Sequence, residues 1–409
     1  MPDELIELDV AAVANGGWCV ARHEGRVVFV RHALPGERVR ARVVEQTKRF
    51  WRADAVEIVR GSPDRVDPPC KFAGPGKCGG CDWQHATPEA QRTLKAQVVE
   101  DQLRRVAGIE REVTVEELPG TPDNLGWRTR VRFAVAGNGR LGFRRHRSHQ
   151  IQVVDQCPIA HPEVEQLGAE QLRWKGFSEV EAIVAAETAD RLVLVDADKP
   201  SVPRLAAPVR VVRGKPAPGP ALPYVREQAA GRSWQVSGSG FWQVHPAAAQ
   251  TLVDAVLKAL QPQPGETALD LFCGVGLFTG ALAEHVGTTG HVRGIESDPI
   301  AVHDATYNLR DLPQADIEAG KVERAIARGA LKPVDLIVAD PPRTGLEEQV
   351  VNRIAKLARR RIAYVSCDPA TLARDLGRFA KLGWQLADLR AFDAFPMTHH
   401  VECLATLDR

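Results

Sequence analysis

No apolar run in this sequence approaches the ~18 residues that a membrane-spanning helix needs. The chain opens with Asp3, Glu4 and Glu7, whereas a secretory leader opens with basic residues. No internal repeat is found, which removes repeat architectures. The net charge of +1 gives no overall excess of one sign. The expectation is a cytoplasmic protein, in which thiols stay reduced and disulfides are rare. Eight cysteines in such a chain ask for a metal or a catalytic role. A length of 409 residues allows two or three domains, and 44% hydrophobic with 26% charged residues fits soluble globular ones.

The near-neutral total hides a strong asymmetry. Residues 127–152 hold seven arginines (Arg128, Arg130, Arg132, Arg140, Arg144, Arg145, Arg147) and no acid. Residues 22–52 carry nine Arg/Lys against three Glu, whereas residues 161–199 are acidic. One basic stretch alone reads as a solvated face. Two together are the footprint of a polyanion, and nucleic acid is the expected partner.

Residues 1–60 alternate apolar and polar around Gly17-Trp18-Cys19-Val20-Ala21, Val27-Val28-Phe29-Val30, Val39 to Val44 and Ala53 to Val59, with turns at Gly25 and at Leu34-Pro35-Gly36-Glu37. Several short strands in 60 residues suggest a small barrel of the oligonucleotide-binding kind. Ala33-Leu34-Pro35-Gly36-Glu37-Arg38-Val39 resembles the TRAM domain, a small RNA-binding barrel. Arg38, Arg40, Lys48 and Arg49 would meet phosphates, with Phe50 and Trp51 as stacking surface.

Cys70 precedes Cys78-Gly79-Gly80-Cys81 among glycines and prolines, and Cys157-Pro158 is the next cysteine along. The spacing suits either a four-iron cluster or a zinc ion, and leaves no ligand over for substrate. Residues 88–107 read as one helix capped by Thr87, with Leu94, Val98, Leu103 and Val106 on one face. Strands are expected at 129–135, 141–145 and 151–154. A helix and further strands follow to residue 222, with a Pro-rich loop at 215–220.

From residue 237 strands and helices alternate, the pattern of a parallel doubly wound sheet. Leu269-Asp270-Leu271-Phe272-Cys273-Gly274-Val275-Gly276 is a strand, a glycine turn and a helix start, suited to holding a ligand. No third glycine completes a dinucleotide fingerprint, which disfavours a nicotinamide enzyme. The next strand ends in Glu296, an acid suited to two ribose hydroxyls. This ordered set resembles motifs I and II of class I S-adenosylmethionine methyltransferases.

A further strand ends in Asp340-Pro341-Pro342-Arg343-Thr344-Gly345. Amino-group methyltransferases carry an aromatic residue where Arg343 stands, so Arg343 suggests stabilisation of an anion. Residues 361–365 form a short strand ending near Cys367, and Pro369 opens an amphipathic helix. An isolated cysteine there reads as a structural thiol. Beside a cofactor loop it becomes a nucleophile. Methylation of uracil C5 needs a thiolate to add at C6, a cation or donor for the resulting enolate, and a base for the C5 proton. Cys367, Arg343 and Glu402 fill those roles, with His399 and His400 as rival bases. Glu402 lies in an apolar strand, where an unpaired charge is costly without a task.

Asp340-Pro341-Pro342-Arg343, Tyr364-Val365-Ser366-Cys367 and Phe395-Pro396-Met397-Thr398-His399-His400-Val401-Glu402 together resemble the RNA uracil-5 methyltransferase family. The resemblance implies a multidomain fold: a TRAM barrel (1–60), an α+β central domain with the cysteines (61–236), whose helix 88–107 packs on the catalytic domain, and a Rossmann-like methyltransferase domain (237–409). It implies a [4Fe–4S] cluster on Cys70, Cys78, Cys81 and Cys157. S-adenosylmethionine would lie at Gln243, Phe272, Glu296 and Asp340. Barrel plus cluster favours ribosomal over transfer RNA, in a monomer. Asp368, Met397 and Leu277 depart from the family pattern. The alternatives are an RNA-binding protein with an inactive methyltransferase domain, or a base-amino or protein methyltransferase, which has no use for Cys367.

Overall fold

Period-two alternation turns Ile6, Leu8 and Val10 of β1 (Leu5–Ala14) inward and leaves the residues between them exposed. Together with β2 (Trp18–His23), β3 (Arg26–Arg31), β4 (Arg38–Gln46) and β5 (Phe50–Arg60), this strand closes a barrel in the order β1-β2-β3-β5-β4. Closure leaves no free edge, and Arg38, Arg40 and Arg42 of β4 face solvent while Val39, Ala41 and Val43 fill the interior. Pattern reading misses β1, whose alternation sits in the acidic start of the chain. The computed structural model describes residues 5–197, 201–214, 217–219, 221–329 and 331–409. The first four residues, Asp198 and Lys199 of the acidic segment, and Lys215, Pro216 and Pro220 of the Pro-rich segment lie outside these.

Helix α1 (Pro88–Gln102) starts where Thr87 accepts the Ala90 N–H at 3.3 Å. The next five residues, 103–107, widen into a π-turn that Gly108 ends in the left-handed region. Leu94, Val98 and Leu103 are buried as the spacing implies, while Val106 is exposed. Ala96, Val99 and Leu103 join one apolar core with Leu372 and Leu376 of the C-terminal sheet's own helix. The chain then adds a short strand, β6 (Val115–Glu117), to that sheet.

The central sheet holds β7 (Arg130–Val135), β8 (Leu141–Arg144) and β9 (Ile151–Val153), then β10 (Glu179–Val184), β11 (Arg191–Val195) and β12 (Arg210–Arg213), in the order β12-β11-β10-β7-β8-β9. The helix expected between them is a single turn, α2 (Pro162–Glu165). Trp174 and Phe133 close the core of this sheet.

After the hairpin β13 (Tyr224–Ala229) and β14 (Arg232–Ser237), the alternation runs α3 (Ala248–Leu260), β15 (Thr267–Leu271), α4 (Leu277–Val286), β16 (His291–Glu296), α5 (Pro299–Asn308), β17 (Ala315–Ala319), α6 (Val322–Ala327), β18 (Val334–Ala339), α7 (Glu348–Leu357), β19 (Ala358–Ser366), α8 (Pro369–Lys381), β20 (Gln385–Asp393) and β21 (Glu402–Asp408). The sheet order is β17-β16-β15-β18-β19-β21-β20-β6. The order reverses between β15 and β18, which opens a crevice at the carboxyl ends of the parallel strands. Helices α3 and α4 cover one face, α7 and α8 the other. Among the described residues, no helix is long and apolar enough to cross a membrane.

Candidate active site

Three strand ends and one strand start meet at the crevice. Asp340 follows β18, Cys367 follows β19, and Glu296 ends β16. Strand β21 runs antiparallel to β19, so its first residue lies at that same edge. Ser366 pairs with Cys403 in this ladder, which sets Cys367 and Glu402 opposite each other one step further on. The register explains how two residues 35 positions apart in sequence share one edge.

A cleft of about 870 Å³ opens there, and every site residue named from the sequence lines it: Cys367, Glu402, Arg343, Gln243, Phe272, Glu296, Asp340, Cys70, Cys78, Cys81 and Cys157. Burial pushes the Cys367 thiol up to about 11; the Glu402 charge adds to this, while the Arg343 charge opposes it. Glu402 is buried, and its carboxyl sits well above the ordinary range through burial first and the nearby Asp340 second. Asp340 itself rises to about 7 through burial. Arg343 opposes the shift of Glu402 as well. Two carboxyls, a thiol and one guanidinium thus form a single electrostatic group.

The loop that carries Arg343 is fixed from below. Asp375 of α8 accepts the Leu346 N–H and the Tyr364 hydroxyl, each at 2.8 Å. Gly345 has φ +69° and lies against Asp375 and Arg374, so a side chain there would collide. On the cofactor side Gly274 and Gly276 adopt positive φ, as does Phe272. Glu296 accepts N–H bonds from Gly274 at 2.9 Å, Ser297 at 2.6 Å and Asp298 at 2.7 Å. Asp270 is wholly buried beneath the loop, held by the Thr279 hydroxyl at 2.6 Å and raised to about 7, mainly by burial. One of its oxygens has no partner. Gly276 precedes helix α4 without a side-chain cap. This wall fits a nucleoside cofactor: carboxylate for hydroxyls, backbone that can approach closely, and Gln243 and Asp340 alongside.

The four cysteines line the same cleft. Burial raises Cys78, Cys81 and Cys157, the last to about 12, and the neighbouring thiols push in the same direction. Gly80 donates its N–H to the Cys78 sulfur at 3.4 Å. Among the described residues, no three ligating side chains converge tightly enough to hold a single metal ion.

A family model described as tRNA (Uracil-5-)-methyltransferase matches residues 330–409, one described as TRAM domain matches residues 3–56, and one described as Methyltransferase small domain matches residues 248–364. An uncharacterized RNA methyltransferase of Streptomyces avermitilis is 50% identical over 99% of this chain and 98% of its own length. The 23S rRNA (uracil(1939)-C(5))-methyltransferase RlmD of Alkalilimnicola ehrlichii is 32% identical over all of this chain and 98% of its own. The chain belongs to the RNA uracil-5 methyltransferase family. The same fold recurs in the Pyrococcus abyssi tRNA (uracil-54, C5)-methyltransferase, solved with S-adenosyl-L-homocysteine, at a TM-score of 0.71 and 24% identity over 98% of this chain and all of that one.

The three departures of this methyltransferase find different explanations. Asp368 caps α8, accepting the Thr371 N–H at 2.8 Å, an interaction worth about 1 kcal/mol. Leu277 is buried against the apolar core around α3 and α4. Met397 is buried beside Trp127 and Ile159. Sequence reasoning passed over Asp82, which lines the cleft and holds His399 at 2.6 Å, with Arg31 of β3 on its other side at 3.4 Å. The signal available was an acid directly after Cys81. It also passed over Gln91 and Lys95, two polar residues on the buried side of α1.

Proposed function

We propose that this methyltransferase transfers a methyl group from S-adenosylmethionine to C5 of a uridine in RNA, through a transient bond between Cys367 and C6. The observation that carries the reading is the register that sets Cys367 opposite Glu402, with the Arg343 charge acting on both. The Cys367 thiolate adds to C6, and the C5=C6 electrons move onto O4 as an enolate, which Arg343 would stabilise. Bound S-adenosylmethionine supplies an electrophilic methyl group. Glu402 then takes the C5 proton, the C5=C6 bond re-forms and the Cys367 sulfur leaves with its electron pair. Gln243, Phe272, Glu296 and Asp340 would hold the cofactor. Ribosomal RNA is the proposed substrate, supported by the full-length likeness to a 23S rRNA enzyme.

We also propose that Cys70, Cys78, Cys81 and Cys157 hold a [4Fe–4S] cluster. The thiols of Cys78, Cys81 and Cys157 are raised by burial and by one another, and with Cys70 beside them in the cleft they form a donor set that a cationic centre would stabilise. The residues fit it as a structural centre, distinct from the methyl-transfer step.

The test separates the first and last steps. Cys367→Ala is expected to abolish both methylation and any covalent complex with RNA. Glu402→Gln is expected to add to C6 and transfer the methyl group, then accumulate a methylated protein–RNA adduct stable to denaturing electrophoresis. Normal turnover by Glu402→Gln would remove Glu402 as the base, and 5-methyluridine from Cys367→Ala would remove the covalent route.

A further inference from the structure

The connection between β20 and β21, residues 394–401, delivers Glu402 to the cleft without regular secondary structure of its own. Its conformation is imposed by a segment some 300 residues earlier in the chain. Gln91 of α1 accepts the Met397 N–H at 2.8 Å and donates to the Met397 sulfur at 3.3 Å. The Met397 carbonyl accepts the N–H groups of Asp82 at 3.0 Å and Trp83 at 3.1 Å. The Asp82 carboxylate accepts the His399 N–H at 3.2 Å and binds its ring nitrogen. Lys95 reaches Asp393 at 2.5 Å and the Phe395 carbonyl at 3.0 Å. Gln91 and Lys95 are fully buried.

Met397 has a φ of 66°, a left-handed conformation that a non-glycine residue keeps only where its surroundings over-determine it. Here both its backbone groups and its sulfur are bound by the same segment, 82–91. The side chains that hold the loop do not line the cleft, Asp82 excepted, so Gln91 and Lys95 act through the loop and touch no reacting atom. A clamp of this kind has its largest effect on the step that depends on the hairpin end, because the Cys367 strand end is fixed separately by α8 and Asp375.

We propose that Gln91 and Lys95, with Asp82, are positioning residues for removal of the C5 proton: they lock the 394–401 loop so that the Glu402 carboxylate meets C5 of the methylated adduct. The inference rests on the reading of Glu402 as the base. Loosening the clamp lets the carboxylate drift while leaving addition by Cys367 and methyl transfer intact.

The experiment follows formation and breakdown of the adduct in single turnovers with methyl-labelled S-adenosylmethionine and RNA. Gln91→Leu is expected to form adduct at the unmutated rate and release it about 10- to 100-fold more slowly, the penalty of a misplacement near 1 Å. Its kcat falls by the same factor, with KM for RNA and cofactor unchanged. Gln91→Glu is expected to restore release, because a protonated carboxyl keeps an acceptor for Met397 and a donor for the Ala86 carbonyl that Gln91 now bonds at 2.9 Å. If Gln91→Leu fails to fold, the paired change Lys95→Met with Asp393→Leu removes the second clamp without leaving a lone buried charge. Equal loss of adduct formation and release in the folded variants would reduce the clamp to a stability element and overturn the proposal. Glu402→Gln runs in parallel: if it builds no adduct, the assignment of the base fails, and the clamp's role with it. If it does and the clamp variants do not, only the clamp is wrong.

Discussion

Cys367 is a thiol that its surroundings discourage from ionising. Burial and the carboxylate of Glu402 raise it, and Arg343 alone among the named neighbours works the other way. Alkylation of Cys367 in the ligand-free enzyme, read by mass spectrometry of its peptide, should therefore rise about tenfold per pH unit from pH 7 to 10, since the thiolate is the reactive form. Arg343→Ala moves that profile to higher pH and Glu402→Gln moves it lower, because the first removes a lowering charge and the second a raising one. A profile that levels off near pH 8 would contradict the raised thiol. These residues were legible in the sequence as candidates, through the strand end, the arginine in place of an aromatic, and an acid in an apolar strand. Their mutual titration was not, because it depends on a separation set by the β19–β21 register.

At the scale of elements, the loop from Cys70 to Cys81 has little regular structure. It is held by single bonds such as Gly79 N–H to Arg144 carbonyl at 3.1 Å and Cys78 N–H to Phe72 carbonyl at 3.0 Å. The proposed cluster, bound by its cysteines, would add to that order. Protein purified without oxygen is expected to contain about four irons per chain and to be brown. Chelation should then lower the melting temperature and expose the loop to protease. Stoichiometric zinc in place of iron would remove the cluster. The helix that follows shows how element reading can succeed and still miss a function. Its cap, its length to within a turn and its apolar face follow from spacing, while Gln91 and Lys95 look like lapses in that face until the loop they bind is present.

The whole molecule places the barrel, the arginine-rich strands and the cleft in contact. Trp18 of β2 packs its ring against His146 at 5.5 Å, and Arg147 reaches Glu45 of β4 at 3.3 Å. Around that junction Arg52 lies over Phe50 at 4.6 Å and Arg26 over Trp51 at 5.3 Å, cations and aromatic faces suited to a single-stranded nucleic acid. Affinity for RNA is expected to fall by about 10³-fold between 50 and 200 mM salt, as release of counterions from phosphates requires. Deleting residues 1–60 should weaken RNA binding and leave cofactor binding unchanged. RNA affinity indifferent to salt would contradict a phosphate-binding surface. Part of the arginine stretch is committed elsewhere: Arg132 pairs with Glu181, and Arg130 is buried with its guanidinium on the Gly240 carbonyl, so the stretch contributes fewer free charges than its composition suggests.

Local pattern determined much of this protein. Alternation gave four of the five barrel strands, and the strand–helix rhythm gave the parallel sheet. Glycines at Gly274 and Gly276 marked the cofactor turn, because only backbone free to take positive φ makes it. Local chemistry also nominated Cys367, Arg343 and Glu402. Tertiary structure alone decided the rest. Strand β6 joins a sheet whose other strands begin some 150 residues later. The acid after Cys81 meets a histidine near the C-terminus. A glutamine and a lysine of α1 become buried partners of the loop before Glu402. Contacts between residues hundreds of positions apart leave no periodicity in the chain, and a polar side chain on an apolar face reveals its purpose only when the group that satisfies it arrives from elsewhere.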